Sequence, residues 1–203
     1  MRTVILVAGP SGSGKSRLSG RTGVPQLRLD DFYRDLDEPG LPMATMPGGL
    51  RMIDWDDMGS WNLDAAVEAL AQVARTGRAI IPTYDISISR ATGTQQIDIG
   101  GAPALICEGI FAVELAEPCR ARGLQVEAIW LDRPRWFNFA RRLQRDLRQR
   151  RKAPSVLIRR GLGLVKLEPG SRKVALARGF TPMGMKHALG HIQGLVHEGQ
   201  AAM

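Results

Sequence analysis

The chain has 203 residues, 44% of them apolar, and a formal net charge of +8. That length and apolar content exclude global disorder and fit one domain with a sizeable core, with room for a lid or small subdomain. No apolar run is long enough to span a bilayer, the start leads into a strand and not a signal peptide, and the two cysteines lack CxxC spacing, so a cytoplasmic, reducing setting is expected.

A first strand is predicted over 3–8, from the run Val4-Ile5-Leu6-Val7-Ala8. It delivers Gly9-Pro10-Ser11-Gly12-Ser13-Gly14-Lys15-Ser16, a complete GxxxxGK(S/T) pattern. Backbone N–H groups in such a turn, and at the start of the following helix, point at anionic oxygens. Lys15 is expected to reach the β- and γ-phosphates, and the Ser16 hydroxyl to join a Mg²⁺ shell. Gly12 and Gly14 permit backbone angles and a close phosphate approach that other residues resist. The loop therefore predicts a bound nucleoside triphosphate.

A short helix follows over 14–21, ended by Gly23-Val24-Pro25, and Gln26–Leu29 reads as a strand finishing at Asp30-Asp31. Residues 34–53, rich in Pro, Gly and Met, read as a connection or flexible cover. Ser60 or Asn62 caps a helix over 63–76, with Leu63, Ala66, Val67, Leu70 and Val73 at helical spacing. After a strand at 79–83, Ile86 and Ile88, then Ile97 and Ile99, alternate around Ala91-Thr92-Gly93-Thr94, which predicts a hairpin turning there. Ala104–Cys107 is a core strand ending in Glu108-Gly109, with Cys107 a buried small hydrophobe. A helix over 111–121 and a strand over 126–131, ending at Asp132, come next.

Arg135–Arg151 is a long basic helix, broken by Pro154 and Gly161-Leu162-Gly163. Val174–Ala177 reads as a last short strand, and Gly179 and Pro182 precede a helix over 184–197. Strands alternating with helices predict an α/β fold, a mostly parallel sheet with helices on both faces.

In such sheets ligands bind at the carboxyl ends of the strands, where Asp30, Glu108 and Asp132 fall. If the strands bearing Asp30 and Glu108 flank the first, one carboxylate can accept a hydroxyl proton while the other holds Mg²⁺-bound water. Much of the positive charge lies between 133 and 178, led by Arg141, Arg142, Arg145, Arg148, Arg150, Arg151 and Lys152. It fits a solvated helix face, a cover over phosphates, or a nucleic-acid surface. No Asn-Lys-x-Asp segment marks a guanine-reading switch, and the chain has no room for the helical arm of transport ATPases. His187 and His191 read as helix-surface residues with no third metal ligand, Trp130 as core, and Trp55, Trp61, Phe32 and Tyr33 as neighbours of an acceptor pocket.

Several segments in order carry a family resemblance. Leu29-Asp30-Asp31-Phe32-Tyr33 resembles the Asp-Ser-Phe-Tyr segment of uridine kinases and related P-loop kinases, and Ile53-Asp54-Trp55-Asp56 their Asn-Phe-Asp-His-Pro segment. Pro82-Thr83-Tyr84-Asp85 with Arg90 is similar to their Pro-x-Tyr-Asp…Arg hairpin, and Glu108-Gly109-Ile110 to their Glu-Gly-Ile/Leu. Arg141-Arg142-Leu143-Gln144-Arg145-Asp146 with Arg150 resembles their lid helix, and Glu168-Pro169 their late Glu-Pro stretch. The resemblance covers most of residues 2–177.

It implies a P-loop NTPase three-layer sandwich in a single P-loop kinase domain over 1–203. A small hairpin (84–99) would stand at the acceptor site, a basic lid region would occupy 135–161, and a C-terminal helix and tail 179–203. The implied activity is ATP- and Mg²⁺-dependent phosphorylation of the 5′-hydroxyl of uridine or cytidine. Asp30 would be the base, assisted by Lys15, Arg142 and Arg145. Gly9, Ser11, Gly12, Ser13, Gly14, Lys15, Ser16, Arg145 and Arg150 would hold ATP, and Ser16 and Glu108 the metal. Asp30, Tyr33, Asp56, Tyr84, Arg90 and Arg142 would meet the acceptor, with Asp56 on the ribose hydroxyls and Tyr84 at the pyrimidine end. The expected partner is a small molecule, not nucleic acid or membrane, and a homo-oligomer stays open. The chain departs from the pattern at 84–90, which is one residue shorter and lacks the histidine that holds the uracil edge. Another nucleoside, a sugar or sugar phosphate, or a pantothenate- or glycerate-like alcohol therefore stands as the alternative acceptor.

Overall fold

The computed structural model describes residues 1–45, 49–148 and 154–201. Its centre is a five-stranded sheet in the order β2 (Gln26–Arg28), β7 (Ala104–Glu108), β1 (Thr3–Ala8), β8 (Val126–Leu131), β9 (Thr181–Met183), with every neighbouring pair parallel. Strand alternation divides the core in two. Val4, Leu6, Leu105, Cys107, Ala128 and Trp130 pack toward α2 (Leu63–Thr76) and α3 (Ala112–Ala121). Ile5, Val7, Ile106, Ile129 and Leu131 pack toward α1 (Lys15–Thr22) and α6 (Met185–Ala201), meeting Leu18, Ala188 and Ile192. The result is the expected α/β three-layer P-loop sandwich, helices on both faces of a parallel sheet.

Asn62 caps α2, its side-chain oxygen accepting from the Ala65 N–H at 3.1 Å. Where a connection or flexible cover was expected, β3 (Met43–Thr45) and β4 (Arg51–Ile53) pair antiparallel. The larger hairpin pairs β5 (Arg78–Asp85) with β6 (Arg90–Asp98), so it starts before 84 and turns at 86–89, not at 91–94. Asp85 fixes that turn by accepting from both the N–H and the hydroxyl of Ser87, a local bond that the glycine-threonine run at 91–94 does not make.

The largest departure follows α4 (Arg135–Arg148). Residues Pro154–Ala177 form one continuous helix, α5, where breaks and a terminal strand were expected. Pro154 occupies the first helical position, where its missing N–H costs little. Leu157, Val165 and Ala175 are buried along α5 and hold it through Pro169. Gly161 is required by packing, because a Cβ there would stand 2.5 Å from the Phe139 ring of α4. The last strand is β9, on the sheet edge beyond β8.

His191 bonds Glu127 at 2.8 Å, joining α6 to β8, and among the described residues no cluster of three His, Cys, Asp or Glu side chains could hold a metal. Among the described residues no helix is long and apolar enough to cross a membrane.

Candidate active site

The 9–16 turn lies between β1 and α1, at the carboxyl end of the sheet. Gly12 and Gly14 have φ of +90° and +98°, in the left-handed region. Gly12 also faces α4 closely, since a Cβ there would lie 2.3 Å from the Asn138 backbone oxygen. The Lys15 ammonium donates to the Gly9 carbonyl at 2.8 Å. Burial holds its pKa below the ordinary lysine value, while Glu108 and Asp30 oppose that shift. The Ser16 hydroxyl donates to Glu108 Oε1 at 2.7 Å. Ser13 is buried beneath the turn.

Glu108 ends β7, directly beside β1, whereas β2 pairs only with β7. Asp30's strand is therefore one place removed from the P-loop strand and does not flank it. A 3-10 turn over Leu29–Phe32 nevertheless carries Asp30 into the cleft with Lys15 and Glu108. Burial pushes the Asp30 carboxyl above the usual range, and the charge of Glu108 adds to the rise. The same turn sends Asp31 elsewhere: it is buried, and its Oδ1 accepts from the Tyr84 N–H at 3.4 Å. Asp132 is tied to Arg172 at 3.0 Å and stands outside the cleft lining.

Two cavities meet over the loop. The first, about 560 Å³, is lined by Ser11, Gly12, Gly14, Lys15, Ser16, Asp30 and Glu108, under Arg17, Arg141, Arg142, Arg145 and Arg148. The second, about 540 Å³, is lined by Asp56, Met58, Phe111, Leu157, Leu164, Leu167 and Glu168. Ser11, Ile110, Arg142 and Arg145 line both. Arg142 is buried and donates to the carbonyls of Ser11 at 3.2 Å and Gly161 at 3.1 Å, joining the P-loop to α5 through α4. Arg145 pairs with Asp146 at 2.9 Å. The donor set fits a triphosphate with a hard cation: a buried ammonium, a glycine-rich turn opening a helix, and a hydroxyl bonded to a carboxylate.

Other expected acceptor residues lie apart. Tyr33 donates to the Trp55 carbonyl at 3.2 Å and packs against Trp55, Tyr84 and Phe111. Burial and the charges of Asp30 and Asp56 push its hydroxyl pKa up. Tyr84 is buried with its hydroxyl on the Arg34 carbonyl at 2.9 Å, and Arg90 pairs with Asp37 at 3.2 Å. Tyr33, Tyr84 and Arg90 line neither cavity. Phe32 and Trp61 are core residues, the Trp61 indole N–H donating to the Leu29 carbonyl at 2.7 Å. Arg150 lies outside the described residues, as do Arg151 and Lys152.

Sequence reasoning missed the α5 wall, although Leu157, Gly161, Leu164, Glu168 and Ser171 recur at helical spacing. It also missed Asn138, fully buried, whose side-chain amide donates to Glu168 at 3.2 Å. Burial pushes the Glu168 carboxyl up, with Asn138 and Arg142 opposing.

Comparison with known proteins identifies the family. Residues 4–157 match the family model described as Phosphoribulokinase / Uridine kinase family. The chain is 26% identical over 172 residues to a uridine kinase of Lactobacillus helveticus, spanning 80% of this chain and 76% of that one. It is 28% identical over 179 residues to a uridine kinase of Deinococcus deserti, spanning 80% and 77%. Among solved structures, a putative fructose transport system kinase from Silicibacter sp. shares the fold with a TM-score of 0.58 at 19% identity, covering 89% of this chain and 87% of that one. Phosphoribulokinase from Rhodobacter spheroides shares it at 0.52 and 16%, covering 85% and 67%. The chain belongs to the phosphoribulokinase/uridine kinase family and is an ATP-dependent small-molecule kinase.

Proposed function

We propose that the chain transfers the γ-phosphoryl group of ATP to the 5′-hydroxyl of a pyrimidine nucleoside, with Asp30 as the base. The observation that carries this reading is the meeting of Asp30, Lys15 and Glu108 in one cleft, with the Asp30 proton affinity raised by burial. The relatives described as uridine kinases support the nucleoside.

Phosphoryl transfer needs in-line placement and charge neutralisation more than covalent help. Lys15 and the loop amides hold the β- and γ-phosphates. Ser16 and Glu108 would hold a Mg²⁺ ion, which would supply further neutralisation of the phosphate charge. Asp30 takes the hydroxyl proton as the acceptor oxygen bonds to phosphorus and the bridging oxygen leaves with ADP. Arg142 and Arg145, shared by both cavities, stabilise the group in passage. The basic residues that line the cleft are accounted for by phosphates, which supports a small-molecule partner over nucleic acid.

A second reading, another small alcohol as acceptor, is favoured by one observation: Tyr84 and Arg90 of the hairpin line neither cavity, and 84–90 lacks its histidine. Measuring ADP release over uridine, cytidine, pantothenate, glycerate and sugars separates the two. Asp30→Asn removes most turnover while binding of a non-hydrolysable ATP analogue survives. Full activity in that variant refutes the role of Asp30.

A further inference from the structure

We propose that α5, through Glu168, selects an unphosphorylated polyhydroxyl acceptor with an apolar face, and rejects acceptors that already carry a phosphate. This rests on the kinase reading above and narrows its substrate class.

One stripe of α5 faces the second cavity: Leu157, Gly161, Leu164, Glu168 and Ser171. Across the space stand Met58, Ile110 and Phe111. Two apolar walls suit a flat or aliphatic face of a ligand. Among the polar groups of the lining, carboxylates are the commonest. Glu168 Oε2 is held by Asn138, while Glu168 Oε1 is buried without a hydrogen-bond partner among the described residues. A buried carboxylate oxygen left so is costly unless a ligand donor completes it. Asp56 offers a second carboxylate to the same cavity.

The two arginines of this cavity are outnumbered by four carboxylates, Asp56, Glu114, Asp146 and Glu168. Arg142 spans the Ser11 and Gly161 carbonyls, and Arg145 holds Asp146. A second carboxylate pair, Glu114 with Arg178, closes the rim. A hydroxyl-bearing ligand therefore finds acceptors at both Glu168 and Asp56, whereas a phosphate on the same ligand meets carboxylates and desolvation.

The test measures ADP release at pH 8 with ATP and Mg²⁺ over four probes. Uridine and fructose are compared with uridine 3′-monophosphate and fructose 6-phosphate, which keep a free primary hydroxyl. The better unphosphorylated probe should exceed its phosphorylated counterpart by about 100-fold or more in kcat/KM. Glu168→Gln keeps an oxygen for Asn138 and turns the other position into a donor, so acceptor KM should rise about 10-fold or more while the Kd of a non-hydrolysable ATP analogue stays constant. Leu164→Ala should raise KM more for uridine than for fructose by opening the apolar wall. Equal turnover of a phosphorylated probe and its counterpart, or wild-type acceptor KM in both variants, overturns the assignment alone. Transfer to none of the four probes overturns the pyrimidine-nucleoside reading beneath it.

Discussion

A methyl group on Gly12 presses on a helix backbone, not on a side chain that can turn away. Its Cβ would lie 2.3 Å from the Asn138 backbone oxygen and 3.1 Å from the carbonyl carbon. Ordinary carbon contacts need about 3.5 Å, so α4 must recede by roughly 1 Å. The Arg142 to Ser11 bond, 3.2 Å long, then stretches out of hydrogen-bond range. Left-handed strain for a side chain at φ +90° adds about 1–2 kcal/mol, and overpacking about 1–3 kcal/mol. Gly12→Ala should therefore lose about 2–5 kcal/mol of stability in urea unfolding.

Gly14→Ala is the matched comparison. It carries the same strain at φ +98°, but its methyl meets only the tips of Met185 at 3.0 Å and Arg141 at 3.2 Å, which can move. The difference between the two variants, at least about 1 kcal/mol, isolates the contact with α4. Hydrogen exchange of α4 amides should quicken in Gly12→Ala alone. A displacement of this size also predicts a loss of about 100-fold in kcat/KM. Equal stability losses with unchanged α4 exchange in both variants would refute the docking of α4 on the loop.

Asp30 sets a pH dependence with a definite sign. Because its folded pKa is raised, the stability it contributes is present at low pH and lost as pH rises through that pKa. Asp30→Asn should therefore melt above wild type at pH 8, with the gap closing on acidification; a gap constant with pH rules this out. The wild-type rate should rise with pH through a value above the ordinary carboxylate range. Trp61→Phe removes the indole donor from the buried Leu29 carbonyl and should cost about 0.5–1.5 kcal/mol in urea unfolding, while a loss within error would mean water replaces the indole. Ser16→Ala removes a hard oxygen and should raise the Mg²⁺ concentration for half-maximal rate; an unchanged titration contradicts the metal assignment.

The donor half of the site was legible because its signals are local. Residues 9–16 are one contiguous pattern, and Glu108 closes a strand whose apolar run is unmistakable. Asp30 was also legible, but not the strand order that separates β2 from β1, since pairing partners leave no mark in a single strand. The acceptor half depended on tertiary contacts. Gly161 and Pro169 look like helix breakers, and only the fit of Gly161 against Phe139 and the burial of Val165 and Ala175 reveal why α5 runs through them. With α5 misread, its inward stripe and Glu168 could not be seen as a wall. The hairpin turn was displaced for a similar reason, because a side-chain bond from Asp85 outweighs the flexibility of Gly93.

The anchoring of α4 also limits how this kinase can exclude water. The helix is seated at its base, with Asn138 against Gly12 and Arg142 bonded to both Ser11 and Gly161. A rigid swing of the whole helix would break all of these ties at once. If the cleft closes over its substrates, these ties predict a bend at the rim beyond Arg142 instead of a hinge at the root. The arginines that line the cleft would then hold ADP, the more highly charged product, so its release is expected to be the step most sensitive to added salt.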